Sequence, residues 1–421
     1  MQKKISAIER ENNNLNIYKL NHPASISDFI RSMFKGKEKG YQQFNICWKG
    51  EESAIYPNAC LPIAAIIEFY REQGNEFVFE IFTSEYLNNC YFANPLKLDV
   101  EGIRSLYNPF DKIIKYDNSA QVAEFTQKCV DNISCQMVCE EGIFESLIWC
   151  INEVMDNVLV HSKNNTGYVM AQFHAASKHI AICVADTGIG IFNSLKNSTH
   201  HPRKAIDAIS LAIQEGVGDG QGQGNGLFGL YQIIQANGGR LTITSGSASL
   251  MLAEEKPLQK FDRLPYINKT NQATIVDFQL DLNKNVNIKE AFRSIGGFDG
   301  FDIRLDNMIQ DNDSLLYDVF NNCEGTATRE AGKMLRNDVL NTIKRTKSLI
   351  CLDFSKVLTV SSSFIDEFVA KMVIELGFIN FNKIISLTGM NDTIKFLCER
   401  SLYMRIFEEW NIKESSKSNL H

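Results

Sequence analysis

The sequence predicts a mixed α/β (α+β) protein built in three parts, and three observations carry that reading. Strand-like and helix-like stretches alternate along the whole chain. The 421 residues exceed one ordinary domain, at roughly 150 residues each. A composition of 44% apolar and 22% charged residues is that of a globular chain, not a disordered or fibrous one. With only 8 Pro, long proline-rich linkers are excluded, so the parts should abut.

Composition also narrows the partners. The longest apolar runs, such as Leu61–Ile67, fall far short of the roughly 18 residues that a membrane span needs. The charged start, MQKKISAIERENNN, has no hydrophobic stretch behind it for a secretory signal. The 11 Cys are scattered and only Cys135 and Cys139 lie close, so neither a zinc site nor a disulfide framework is expected. A cytoplasmic chain with buried thiols and no membrane partner is the expectation. The net charge of −7 and the short basic clusters, such as Lys35–Lys39, argue against nucleic acid, whose binders carry a basic stripe.

The elements follow from periodicity. In the first part, residues 1–111, Phe44–Lys49 reads as a strand, Asn58–Gly74 as a helix closed by glycine, and Glu76–Thr83 as an alternating strand. The middle part, 112–283, holds a helix at Ile143–Val160, with Phe144, Leu147, Ile148, Ile151, Met155 and Val158 at helical spacing. Strands follow at Tyr168–His174 and His179–Asp186. Leu227–Ala236 reads as a helix ended by Asn237-Gly238-Gly239. Leu241–Gly246, Ser247–Leu252 and Ala273–Leu282 complete the strands, with Glu254–Gln272 as a mobile polar surface loop. A linker, 284–297, leads to the third part, 298–410. There Thr326–Lys347 is a long helix, Ser348–Phe354 a strand, Ser363–Leu376 a helix, Lys383–Gly389 a strand and Asp392–Ser401 a final helix. The tail, 411–421, is polar and should fray.

Three motifs bear on chemistry. Glu153 and Asn157 lie one helical turn apart, which suits a carboxylate base beside a hard oxygen ligand for Mg²⁺; a solvated helix face carries the same pair. Asp186 ends a strand and is followed by Gly188 and Gly190. It would accept from the exocyclic amine of adenine and repel the carbonyl that guanine presents there, although a plain tight turn uses the same glycines. Gly218–Leu230, GDGQGQGNGLFGL, lets backbone N–H groups converge before a helix N-terminus and so suits phosphate. Gly224, Gly226 and Gly229 form a G-x-G-x-x-G, but no strand precedes it and no acid follows about twenty positions on, so a dinucleotide fingerprint fails. The GxxxxGK[ST] phosphate loop is absent from the sequence.

Taken in order, these pieces resemble the GHKL ATPase superfamily: an E-x-x-x-N helix, a DxGxG turn, a variable segment, a GxGxG box before a helix, and a late Thr on a strand. That group holds gyrase B subunits, MutL, heat-shock chaperones, histidine kinases and anti-sigma-factor serine kinases. The resemblance spans about Asn118 to Leu282 and implies a sandwich of helices on a mixed sheet that binds ATP and Mg²⁺. It would make Glu153 the general base, Asn157 the Mg²⁺ ligand and Asp186 the adenine-binding carboxylate, with Gly188 and Gly190 in its turn. Gly222, Gly224 and Gly226 would hold phosphates, and Thr274 would be the late Thr near adenine. Two departures stand out: Ala273 replaces the usual Gly before that Thr, and Phe228 is interposed in the glycine box. Phe192–Gln221 would be the lid over ATP, containing an amphipathic stretch, Arg203–Glu215; His200, His201, Arg203 and Lys204 would either reach phosphates or form solvated surface. No H-E-x-x-x-P-like stretch exists, which argues against a sensor histidine kinase. His161 and Ser162 resemble an ending of the Glu153 helix in the kinase branch, and an ordinary helix terminus would look the same.

The flanking parts resemble STAS-like domains. Leu349–Phe368 is similar to their central strand, loop and helix, and Ser362 best matches the serine that partner kinases phosphorylate. Alternatively, these serines only cap the helix, with Ser363 as cap and Asp366 at the third helical position. In the first part, Ile55–Tyr70 resembles the same unit, with Tyr56-Pro57-Asn58 in place of a serine. The resemblance implies an ATP-dependent switch with slow hydrolysis and a protein partner held through the STAS-like modules; the oligomer stays open, with a homodimer, as many superfamily members form, one alternative. A serine/threonine kinase acting at Ser362 or on a partner, and a non-hydrolysing ATP-sensing scaffold, stay open beside it.

Overall fold

A tight turn through Asn12, at φ 54°, folds β1 (Ile8–Glu11) back on β2 (Asn14–Ile17) at the start of the chain. The computed structural model describes residues 6–81, 83–219, 224–291, 302–310, 314–323 and 325–418. The chain divides into two compact units: Met1–Cys129 with Gly142–Phe298, and Val130–Glu141 with Asp299–His421.

In the first unit, β1 and β2 lead through α1 (Ala24–Glu38) to β3 (Gln43–Trp48), then through α2 (Pro57–Glu72) to β4 (Glu76–Glu80). These form a sheet in the order β1-β2-β3-β4, antiparallel in the first pair and parallel after it. The chain continues through α3 (Glu85–Asn89), β5 (Leu96–Lys97), α4 (Val100–Arg104), β6 (Ile114–Tyr116), α5 (Ser119–Gln136), α6 (Ile143–His161), β7 (Gly167–His174) and β8 (His179–Asp186). Then come α7 (Gly190–Leu195), α8 (Ala205–Ala212), α9 (Gly226–Asn237), β9 (Arg240–Ser245), β10 (Ala248–Ala253), β11 (Gln259–Phe261), β12 (Thr274–Asp281) and α10 (Ile288–Ala291). The second sheet has eight strands in the order β11-β10-β9-β12-β8-β7-β6-β5.

That sheet explains the two most apolar segments of the unit. β7 and β8 are buried on both faces, so their sequences run apolar instead of alternating. One face packs on α6 and α9, and the other receives α2. Because α2 is also covered by its own sheet, it is buried almost all round and its apolar residues form no single stripe. Ala59, Cys60 and Ile63 of α2 share one core with Tyr168, Met170, Cys183 and Ala185 of β7 and β8. The first two sequence parts therefore lie in one compact unit, and the boundary expected at 111 cuts through a sheet: Leu96 of β5 pairs with Ile114 of β6. The insert Glu254–Gln272 corrects a second expectation. Three of its residues form β11 against β10, and Ile267 packs on the core below α2. Three residues are too few to carry a strand period, so only the pairing reveals it.

Asp277 of β12 points into the same contact and is 4% exposed. Burial pushes its carboxyl up to about 7, although Arg240 and a hydrogen bond from Asn58 act the other way. The folded value exceeds the ordinary 3.8, so the folded state binds the proton more tightly. Stability from this group is full below pH ~4 and is lost as the pH rises toward ~7. Asp277→Asn should therefore raise the melting temperature by several degrees at pH 8 and leave it unchanged at pH 4, measured by scanning calorimetry. Equal effects at both pH values would refute the assignment.

The second unit carries α11 (Ile303–Asp306), β13 (Leu315–Asp318), α12 (Arg329–Thr346), β14 (Ile350–Asp353) and α13 (Ser362–Ile365). A π-helical turn, Asp366–Ala370, joins α13 to α14 (Lys371–Leu376), before α15 (Phe378–Ile384), β15 (Ile385–Thr388) and α16 (Asp392–Ser418). The three strands are parallel, in the order β13-β14-β15, over a core that includes Tyr317, Val339, Leu352, Phe364 and Phe368. The single helix expected at Ser363–Leu376 is thus interrupted by the π turn, and the last helix runs past Ser401 into the polar tail. Residues 130–141 also belong here, not with the middle part. Asn341 Nδ2 donates to the carbonyls of Ser134 and Met137 at 3.0 and 2.8 Å, and Ser134 Oγ donates to Asp338 at 2.6 Å. Burial alone would raise the Asp338 carboxyl, but Arg304 beside it holds it below the ordinary range. Of the expected linker 284–297, residues 292–297 lie outside the described residues.

Candidate functional site

The end of β8 delivers a buried carboxylate. Asp186 is 4% exposed and pairs across the sheet with Thr274, the first residue of β12. Gly188 N–H donates to Asp186 Oδ1 at 2.7 Å, and the Thr274 backbone N–H donates as well. Burial nevertheless pushes the carboxyl up to about 7. The turn after it is braced from two sides. Gln272 and Ala273 donate their N–H groups to Gly188 O at 2.9 and 3.1 Å. Gly190 adopts φ +75°, where a side chain would be strained and would crowd Ser245 Oγ, the acceptor for Ile191 N–H at 2.9 Å. Ala273, at φ 60°, takes a left-handed conformation that favours glycine.

Across the cavity, α6 presents Glu153, Asn157 and His161 at intervals of four residues, hence along one face. Asn157 Nδ2 donates to Glu153 Oε1 at 3.3 Å. Burial raises the Glu153 carboxyl above the ordinary carboxylate range, and the Asn157 contact offsets this in part. Glu153 Oε1 occupies the place a Cβ would take on Gly226, the first residue of α9. Only glycine lets the carboxylate lie against that helix N-terminus.

These elements enclose a cavity of about 480 Å³. It gathers Glu153 and Asn157 from α6, Asp186 from the end of β8, Gly190 from the start of α7, Gly224 and Gly226 from the approach to and start of α9, and Thr274 from β12. Gly188 braces Asp186 without lining the cavity. Gly222 lies outside the described residues. His200, His201, Arg203 and Lys204 are exposed and do not line the cavity. The segment before the glycines has a small apolar cluster of its own, in which Ala208 and Ala212 of α8 meet Leu195 of α7. Sequence reasoning missed a polar contact in the same wall: Asp219 Oδ2 is bonded by Ser194 Oγ at 2.7 Å and lies 2.8 Å from His161 Nδ1. His161 and Asp219 are 58 positions apart, and no local pattern pairs them.

In the second unit, the serines open α13 in a register different from the expected one. Ser361, not Ser363, is the cap: its Oγ accepts from Phe364 N–H at 3.0 Å. Ser363 Oγ lies 3.0 Å from Ser361 Oγ, while Ser362, the first helical residue, is exposed. With serine at three successive positions, backbone dihedrals and not side-chain chemistry choose the cap; Ser361 is the extended one, at ψ 155°. One turn on, Glu367 of the π turn is buried and held by Arg329, Arg336 and Lys371 at 3.1, 2.9 and 2.6 Å.

A family model described as a STAS-like domain of unknown function (DUF4325) matches residues 331–395, from α12 to the start of α16. This unit holds a STAS-like domain. Such a domain points to a regulatory role for the chain. No curated protein matches the sequence. Among the described residues, no helix is long and apolar enough to cross a membrane.

Proposed function

We propose that the chain is an ATP-binding regulatory switch, with a GHKL-like nucleotide site in the first unit and a STAS-like domain through which a protein partner is met. The observation that carries this reading is the convergence of Glu153, Asn157, Asp186, Gly190, Gly224, Gly226 and Thr274 on one cavity. A volume of about 480 Å³ suits a nucleotide-sized ligand. Asp186 would accept from the adenine amine at the buried end, and the glycines before α9 would meet phosphate with backbone N–H groups. Ala273, the departure from a Gly-Thr pair, adopts the backbone that glycine would take, so Thr274 keeps its place in the cavity wall.

The donor set also suits Mg²⁺ brought in with a nucleotide. Asn157 gives its amide N–H to Glu153, which leaves its carbonyl oxygen as a hard ligand. Among the described residues no group of three or more His, Cys, Asp or Glu is arranged to hold a metal. One protein oxygen plus phosphate oxygens and waters is a coordination that Mg²⁺ accepts. The ion would supply charge neutralisation for the phosphates. Glu153, raised by burial and placed against Gly226, would take the proton from the attacking water.

A second reading has its own observation. Ser362 is exposed at the first turn of α13 while its two neighbours bond each other, the accessibility that a phosphoacceptor would need. Calorimetric titration with MgATP and MgGTP, followed by incubation with γ-labelled ATP, tests both. Binding of ATP and not GTP, with label released as phosphate, is the expected result. Label retained on protein and lost in Ser362→Ala would replace hydrolysis by kinase activity. Bound but unchanged ATP would leave a sensing scaffold, and absence of ATP binding would sink the reading.

A further inference from the structure

A phosphate chain entering the cavity meets mostly like charge. Glu153, Asp156, Asp186 and Asp219 all line it, and among the described residues neither Lys nor Arg does. Of the side-chain donors that line it, His161 and Ser194 are both engaged by one acceptor. Ser194 Oγ donates to Asp219 Oδ2 at 2.7 Å, and His161 Nδ1 lies 2.8 Å from the same oxygen. With Asp219 ionised, its carboxylate only accepts and Nδ1 would carry the proton of that contact. The Asp219 side chain is 10% exposed and that of His161 31%, so the contact is part-buried. His161 ends α6, Ser194 lies on α7, and Asp219 lies in the loop between α8 and the glycines. A loop carboxylate that spans to two donors on separate helices holds them as an anion would.

We propose that Asp219 is a built-in competitor for phosphate: its carboxylate and a nucleotide phosphate take the same two donors, His161 and Ser194, and exclude each other. This rests on the nucleotide reading above and adds how that site is restrained. Each anion offers the same acceptor chemistry, so both cannot hold Nδ1 and Oγ at once. Phosphate must displace Asp219, which weakens binding and unties the loop from α6 as the nucleotide enters. The glycine N–H groups then need not carry the phosphate alone.

Equilibrium binding of MgATP and of adenosine to the full chain tests this. Asp219→Asn removes the competing charge and should tighten MgATP about tenfold while leaving adenosine unchanged. His161→Gln and Ser194→Ala should weaken MgATP and not adenosine. In the wild-type protein, the His161 ring resonance, assigned by its loss in His161→Gln, should shift with MgATP and stay with adenosine. This readout does not depend on how well Asp219→Asn folds. If wild type binds MgATP and Asp219→Asn binds it no better, or the His161 signal does not respond, the competition is overturned. If wild type binds neither ligand, the nucleotide reading falls and takes this proposal with it.

Discussion

Glu153→Gln is expected to bind MgATP within about threefold of wild type and to release phosphate about 10²–10⁴-fold more slowly, the usual worth of a positioned general base. The amide keeps the size of the carboxylate and its contact with Asn157, so the wall of the cavity survives. What it loses is the ability to take a proton. Gly226→Ala should reach a similar loss by another route, because the added methyl would stand where Glu153 Oε1 now lies. Since burial raises the Glu153 carboxyl, turnover should fall as the pH drops through that raised value, and this limb should be missing in Glu153→Gln. Single-turnover phosphate release across pH measures both effects. Undiminished turnover in Glu153→Gln would remove Glu153 from the chemistry.

Asp186→Asn should lose about 10- to 150-fold in affinity for MgATP, the range of a buried charge-assisted hydrogen bond, and should no longer discriminate against MgGTP. Discrimination depends on Asp186 being an acceptor only; an amide can turn and donate to the guanine carbonyl. The carboxyl, pushed up to about 7 by burial, also makes wild-type affinity pH-dependent. As the pH falls below ~7 the proton occupies the acceptor, so affinity should drop up to tenfold per pH unit. The variant should be flat over that range. Stability moves the opposite way. The folded value lies above the ordinary 3.8, so the group stabilises the fold at low pH and that stability is lost as the pH rises toward ~7. Asp186→Asn should accordingly melt higher than wild type at pH 8. Calorimetry at pH 6 and 8 decides it, and unchanged affinity and selectivity would overturn the site.

Much of the fold was legible because it depends on short periods. Helical spacing from Phe144 to Val158 and the Gly238 stop after α9 appear in the sequence as they appear in the structure. So does the strand that ends in Asp186, while the strand expected at Ala273–Leu282 runs from Thr274 to Asp281. The candidate site was legible in part for the same reason, since Glu153 and Asn157 are one turn apart and Asp186 ends its strand. What local pattern could not carry was contact between distant segments. Asp219 reaching His161, α2 covering β7 and β8, and residues 130–141 joining the second unit each rest on a partner far along the chain. The serine cap also lay beyond the pattern, because three successive serines offer the same chemistry and only the backbone angles select one.

The sequence by itself determined the mixed α/β class, the main periodic elements such as α6, β7, β8 and α9, and the residue types that can bear chemistry, all of which follow from side-chain spacing and turn stereochemistry. Tertiary structure alone decided which of those residues meet. It buried Asp186 and Asp277 and so raised their carboxyls, set Glu153 against Gly226, and placed Asp219 between two donors. The physical reason is that burial and cross-strand pairing are properties of packed neighbours, and a neighbour's identity is settled by the whole chain's closure over its core.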